Sequence, residues 1–137
     1  MRPIDIRQYK NELRLKCKAG RRAMPPEEKA RLDGLIAEKV GRLYQYKNCH
    51  TLFIYVSTDI EVDTRAIIRR ALAEGKRVAV PRCIPGTRRM EFHYIDSLEQ
   101  LRPGAFSVLE PDESRPVARD FSSSLMIVPA LSLDNRG

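Results

Sequence analysis

The stretch TLFIYVSTDIEVDTRAIIRRALAEGKRVAVPR, residues 51–82, decides the fold class. Its first six residues are almost all β-branched or aromatic and do not alternate with polar residues, which is typical of a strand buried on both faces of a parallel sheet. TRAIIRRALAEGK then predicts a helix that Asp63 or Thr64 can cap and that ends near Gly75. RVAVPR predicts a second buried strand, so the stretch forms a β-α-β unit with a right-handed crossover.

Two helices are predicted before this unit. Residues 5–23 are charged and favour one helix, and Pro25 and Pro26 suit the start of a second. In the second helix, apolar residues recur at helical spacing, which predicts one buried face.

Shorter elements are predicted after the unit. MEFHYI, residues 90–95, alternates and favours an edge or antiparallel strand, and SLEQL favours a short helix. Residues 102–124 read as a long surface connection with one short strand at Phe106 to Leu109, and LMIVP is the last strand. The sequence therefore predicts one α/β domain, residues 1–137, with a mostly parallel sheet whose ligands gather at the carboxyl ends of the strands.

Composition narrows the function classes. The formal charge of +7 favours anionic partners without choosing among them. Three widely spaced cysteines and two histidines predict neither a disulfide framework nor a zinc site. No signal sequence and no apolar run of about 20 residues is present, so we expect a soluble, cytoplasmic protein without a membrane partner.

KNELR, residues 10–14, is the first candidate binding segment. Lys10 and Arg14 lie four residues apart and share one helix face, where two cations can clamp a polyphosphate. A solvated basic face explains the same spacing. The sequence contains no Walker loop and no G-x-G-x-x-G motif. Its aromatic residues form no stacking pattern, so binding of single-stranded nucleic acid is not expected.

DIEVDT, residues 59–64, is the second candidate. Glu61 follows a buried strand, and a carboxylate there can accept hydrogen bonds from the amino group or ring N–H of a heterocycle. Helix-start chemistry is the alternative explanation for these acids. Arg82, at the carboxyl end of the second strand, is well placed for a phosphate or carboxylate.

The ordered set KNELR, IYVSTDIEVDTRAII, GKRVAVPR, MEFHYI, Glu110-Pro111 and MIVPALSLDNRG resembles the 5-formyltetrahydrofolate cyclo-ligase (methenyltetrahydrofolate synthetase) family. The resemblance implies a three-layer α/β/α sandwich. It also implies a ligase of one-carbon metabolism that converts ATP and 5-formyltetrahydrofolate to 5,10-methenyltetrahydrofolate, ADP and phosphate, with Mg²⁺.

The resemblance also implies site residues. The segment that matches the family's ATP contacts contains Lys10, Asn11, Glu12, Leu13 and Arg14. Val56 and Glu61 match positions of the folate pocket, with Glu61 as pterin anchor, and Arg82 and Met90 lie near the same cleft. No residue is assigned as catalytic or as a metal ligand.

The closing segment departs from the family. There the D-x-x-G turn runs into a glycine-rich phosphate loop, whereas this sequence ends at Gly137, and Ala130, Ser132 and Leu133 replace usual family residues. We therefore expect a domain incomplete at its C-terminus, with self-association through an uncovered sheet face. Two alternatives stay open: a non-catalytic folate- or nucleotide-binding fragment, and a basic nucleic-acid-binding protein.

Overall fold

A computed structural model describes residues 3–104 and 107–136. Within these ranges, four helices and six strands follow one another in the order α1 Ile6–Ala23, α2 Pro26–Arg42, α3 Tyr44–Asn48, β1 Thr51–Ile54, α4 Arg65–Ala73, β2 Arg77–Cys83, β3 Met90–Ile95, β4 Leu101–Pro103, β5 Leu109–Pro111 and β6 Ser124–Ile127. A 3-10 turn, Leu98–Gln100, stands where SLEQL predicts a short helix.

The main sheet has the strand order β3-β2-β1-β6. β1 is parallel to both neighbours, with Leu52 opposite Val78 of β2 and Leu125 of β6. β3 pairs antiparallel with β2, as the alternation of MEFHYI predicts. The predicted α/β fold with a mostly parallel sheet is confirmed, and the β-α-β unit spans β1, α4 and β2.

The main hydrophobic core lies between the sheet and its helices. Leu52 and Ile54 of β1 are fully buried against Ile67 and Ile68 of α4. Val40 of α2 packs on the same cluster. α2 and α4 therefore cover one face of the sheet, because both direct an apolar stripe toward it.

The opposite face is covered by the segment 116–121. Phe53 of β1 is buried there, and the Phe121 ring stacks on it at 4.8 Å between centroids. The Ala118 amide donates to the Phe92 carbonyl at 2.7 Å, which aligns the segment beside β3. In residues 3–104 and 107–136, helices α2 and α4 cover one face and this segment covers the other, so the second helical layer of the sandwich stays a prediction.

One sequence expectation needs correction. The short strand at Phe106 to Leu109 is Leu109–Pro111 instead, paired with β4. Ser107 has φ 60°, a left-handed conformation that a strand residue cannot adopt, and Phe106 lies outside the described residues.

At the start of α4, Asp63 provides the cap, since its carboxylate accepts the Arg65 amide at 2.9 Å. Thr64 occupies the cap position, but its hydroxyl turns back toward β1. Gly75 ends this helix with φ +78°, as predicted.

β6 is an edge strand of the main sheet. Met126 and Val128 expose 43% and 66% of their surface beside that edge. Self-association through an uncovered face stays a prediction. Within the described ranges no helix combines the length and apolar character needed to cross a bilayer.

A reciprocal pair of hydroxyls fixes the turn between β1 and α4. Thr64 is buried, and its Oγ1 accepts the Ser57 amide at 3.1 Å and donates to the Tyr55 carbonyl at 2.9 Å. Ser57 Oγ in turn accepts the Thr64 amide at 3.1 Å. These bonds satisfy buried backbone groups, so the turn has one well-defined path.

We predict that Thr64→Val lowers the free energy of unfolding by about 1–3 kcal/mol, because the isosteric side chain leaves the buried Ser57 amide without an acceptor. Urea unfolding measures this. Thr87→Val is the matched control, since the Thr87 hydroxyl bonds its own exposed turn, and it should change stability by less than about 0.5 kcal/mol. Equal effects of the two substitutions would contradict the role given to Thr64.

Candidate functional site

A cavity of about 320 Å³ lies at the carboxyl ends of β1, β2 and β6. We call it the central cavity, and its size falls in the usual range of small-molecule sites. The residues that line it are Tyr55, Val56, Glu61, Pro81, Cys83, Met90, Phe92, Val108, Glu110, Ile127, Val128 and Pro129. Most of these side chains are apolar, and the two charged ones are both carboxylates.

Glu61 is half-buried in the wall of the central cavity. Its Oε1 accepts hydrogen bonds from the amide and the hydroxyl of Thr58, both at 2.9 Å. One carboxylate oxygen is thereby fixed, and the structure shows no protein partner for the other among the described residues. Asp63 rather than Glu61 caps α4, so helix-start chemistry does not account for Glu61.

Tyr55 follows β1 directly and lines the central cavity together with Glu61. Its hydroxyl donates to the Val62 carbonyl at 3.1 Å. Burial raises the pKa of the Tyr55 hydroxyl, and the nearby charge of Glu61 raises it further. Tyr55 is therefore protonated at neutral pH and serves as an uncharged wall.

The other predicted folate residues divide between two places. Val56 is buried in the cavity wall, and Met90 lies at its rim with 58% of its surface exposed. Arg82 does not line the central cavity. Successive side chains of a strand point to opposite faces, and Pro81 and Cys83 face this cavity, so Arg82 between them faces away.

Arg82 lines an adjoining cavity of about 600 Å³ instead. We call this the adjoining cavity. Its wall also carries Arg102, and Arg82 pairs there with Glu113 at 3.3 Å. Cys83 and Glu110 line both cavities and so form the wall between them.

The predicted ATP segment lies on α1. Lys10, Leu13 and Arg14 line a cavity of about 340 Å³, here called the helix cavity, whose other wall is residues 130–132. Asn11 and Glu12 do not line it: Asn11 accepts from Arg14 at 3.0 Å, and Glu12 accepts from Gln8 at 2.9 Å. The helical repeat explains the division, because positions 10, 13 and 14 share a face.

Arg21 connects α1 to the loops that follow β1 and β6. Its guanidinium donates to the carbonyls of Ile60 at 3.3 Å, Ala130 at 2.5 Å and Leu131 at 3.1 Å. The first of these follows β1, and the other two follow β6. Arg21 therefore fixes the helix cavity relative to the loop that carries Glu61.

The helix cavity and the central cavity are lined by side chains of opposite charge. The helix cavity is lined by the cations of Lys10 and Arg14, whereas the central cavity is lined by the acids Glu61 and Glu110. Across residues 3–104 and 107–136 there is no group of three His, Cys, Asp or Glu side chains that could hold a metal ion. The first region suits an anion, and the second suits a ligand rich in N–H donors.

A sequence model of the 5-formyltetrahydrofolate cyclo-ligase family matches residues 6–137. The chain belongs to this family. The cavities described above therefore lie in a cyclo-ligase fold.

Individual relatives agree with this membership. A probable 5-formyltetrahydrofolate cyclo-ligase of Schizosaccharomyces pombe is 33% identical over 105 residues, which cover 74% of this chain and 51% of that protein. The 5-formyltetrahydrofolate cyclo-ligase of Mus musculus is 27% identical over 100% of this chain and 70% of its own length. The chain thus spans about half the length of the first relative.

The NMR structure of Aquifex aeolicus 5,10-methenyltetrahydrofolate synthetase has the same fold. It superimposes with a TM-score of 0.77 over 90% of this chain and 61% of that one, at 23% identity. At that identity the likeness supports the fold alone.

Several residues of this cyclo-ligase family member were not singled out as site residues from the sequence. They are Tyr55, Cys83, Phe92 and Glu110. Glu110 belongs to the motif Glu110-Pro111, which is part of the family resemblance. That motif is the sequence feature that could have identified Glu110 as a site residue. Arg21 lies seven residues after Arg14, two helical turns along the same face, but spacing alone does not identify its carbonyl partners.

The reactivity of the Cys83 thiol measures the influence of Glu110 in the wall between the two cavities. Burial raises its pKa, and the neighbouring carboxylate of Glu110 raises it further. Because the thiolate is the reactive form, Glu110→Gln should lower this pKa and speed alkylation of Cys83 by iodoacetamide at pH 8 between about two- and tenfold. Peptide mass spectrometry follows the reaction. Rates that are identical in the folded variant and wild-type proteins would show that the carboxylate does not act on the thiol, and urea-unfolded samples give the reference rate.

Proposed function

We propose that this protein is an ATP- and Mg²⁺-dependent enzyme that converts 5-formyltetrahydrofolate to 5,10-methenyltetrahydrofolate, with release of ADP and phosphate. The observation that carries the proposal is Glu61, which Thr58 fixes in the wall of an apolar cavity of a cyclo-ligase fold. The cation-lined helix cavity supports it, because Arg21 fixes that cavity relative to the loop that carries Glu61.

The central cavity suits a reduced pterin. Its apolar walls, which include Val56, Phe92 and Pro129, can cover the faces of a bicyclic ring. The free oxygen of Glu61 can accept a hydrogen bond from the 2-amino group or ring N–H of the pyrimidine edge. The ligand would then be held by one charge-assisted bond and by apolar contact.

The helix cavity suits a nucleotide phosphate. Lys10 supplies a mobile ammonium and Arg14 a planar guanidinium, and both can bind phosphate oxygens. In the proposed reaction the formyl oxygen takes the γ-phosphoryl group, N10 attacks the activated carbon, and phosphate leaves. These cations would favour the charge of the transferred group.

Among the described residues, no three His, Cys, Asp or Glu side chains form a group that could hold Mg²⁺. The Mg²⁺ of nucleotide enzymes is commonly held by substrate phosphates, water and one or two carboxylates rather than by an all-protein cage.

The decisive experiment mixes the chain with ATP, Mg²⁺ and 5-formyltetrahydrofolate and follows the absorbance of the methenyl product. An increase that requires all three supports the enzyme. Calorimetric binding of the folate without turnover would support the folate-binding fragment instead. Absence of folate binding together with a steep salt dependence of RNA or DNA affinity would support the nucleic-acid-binding alternative.

We predict that Glu61→Gln weakens binding of 5-formyltetrahydrofolate by more than about 1 kcal/mol, because a charge-assisted hydrogen bond is lost. Calorimetry measures the change. Glu99→Gln removes an exposed carboxylate outside the three named cavities and should leave the affinity unaltered. A Glu61→Gln protein that binds the folate as tightly as wild type would remove Glu61 from the site.

We further predict that Lys10→Ala weakens ATP binding by about 1 kcal/mol and leaves the melting temperature unchanged, since Lys10 is exposed and lines the helix cavity. Lys16→Ala is the charge-matched control, because Lys16 lies on the same helix outside that cavity. If the two substitutions weaken ATP binding equally, general positive charge rather than a defined contact holds the nucleotide.

A further inference from the structure

Glu110 is a buried carboxylate for which the proposed reaction has not yet required a role. It lies on β5 with 9% of its surface exposed, and it forms part of the wall between the central and adjoining cavities. Its Oε1 accepts the Cys83 amide at 3.3 Å. Across residues 3–104 and 107–136 no lysine or arginine forms an ion pair with it.

The backbone makes room for this carboxylate. Gly104 faces it so closely that a Cβ atom at position 104 would lie 2.5 Å from the Glu110 Cδ. The carboxylate therefore occupies the space that a side chain at position 104 would need. The Glu110 carboxylate has acceptor capacity beyond its bond to the Cys83 amide, so it can also accept a hydrogen bond from a donor on a ligand.

Glu61 and Glu110 approach the central cavity from different sides. Glu61 belongs to the loop after β1 and also borders a pocket formed with Ile36 and Val40 of α2. Glu110 lies beside the end of β2, at the border with the adjoining cavity. Both carboxylates line the same cavity, so a bicyclic ligand bound there can meet one of them at each side.

We infer that Glu110 determines specificity for the reduced ring by accepting a hydrogen bond from its N8–H. The inference rests on the proposed function. In 5-formyltetrahydrofolate N5 is acylated, so N8 carries the one N–H of the saturated ring. In folic acid N5 and N8 both present lone pairs, which a carboxylate repels. Glu61, in contrast, meets the pyrimidine edge that both compounds share.

The test compares calorimetric dissociation constants of 5-formyltetrahydrofolate and folic acid in four proteins. The quantity compared is the dissociation constant of folic acid divided by that of 5-formyltetrahydrofolate. In Glu110→Gln this ratio should fall at least about tenfold. The amide no longer makes a charge-assisted bond to 5-formyltetrahydrofolate, and it can donate to the N8 lone pair of folic acid. Glu61→Gln should weaken both ligands in parallel and leave the ratio unchanged. Glu113→Gln, which removes an exposed carboxylate of the adjoining cavity, should change neither constant.

Gly104→Ala is a second variant, which keeps the Glu110 carboxylate but displaces it from its position. This substitution should lower the same ratio. Melting curves establish that each protein is folded. If Glu110→Gln does not fold, the ratio measured in Gly104→Ala decides the test. An unchanged ratio in a folded variant that still binds 5-formyltetrahydrofolate overturns the inference and leaves the proposed function intact. A wild-type chain that binds neither folate overturns both.

Discussion

The structure depends on the burial of β1 between two parallel strands. Leu52 and Ile54 face the helices, and Phe53 faces the segment 116–121, so the strand has no solvent-facing side. Parallel pairing with β2 and β6 then brings three carboxyl ends to one edge. Loops that follow parallel strands meet at such an edge, and for that reason the central cavity lies there.

Opposite charges are kept apart at this edge. The acids of the central cavity belong to the loop after β1 and to β5, whereas the cations of the helix cavity belong to α1. Arg21 joins the two regions through backbone carbonyls, not through carboxylates. The guanidinium is therefore satisfied without neutralising Glu61, which stays available as an acceptor for a ligand.

The parts of the fold that depend on local pattern could be predicted from the sequence. The β-α-β unit, the antiparallel β3 and the position of Glu61 follow from periodicity and from the order of elements. Helical spacing also indicates that Asn11 and Glu12 cannot share the face of Lys10, although the family segment includes them. Strand alternation also indicates that Arg82 points away from the cavity that Pro81 and Cys83 line. The roles of Glu110 and of segment 116–121 depend on contacts between distant residues, which no local pattern encodes.

Pro81 explains why the sheet opens where the cavity begins. Tyr94 and Phe92, which lie opposite Ala79 and Pro81, bond outward to the segment 116–118, so the backbone groups of Ala79 and Pro81 point toward β1. The β1–β2 register ends at Phe53 and Ala79, two residues before Pro81. Proline offers no amide hydrogen at the point where the ladder would otherwise continue. β1 and β2 can therefore diverge beyond Ala79. Because Pro81 lacks the hydrogen-bond donor, the gap between the two strands exists without a bound ligand.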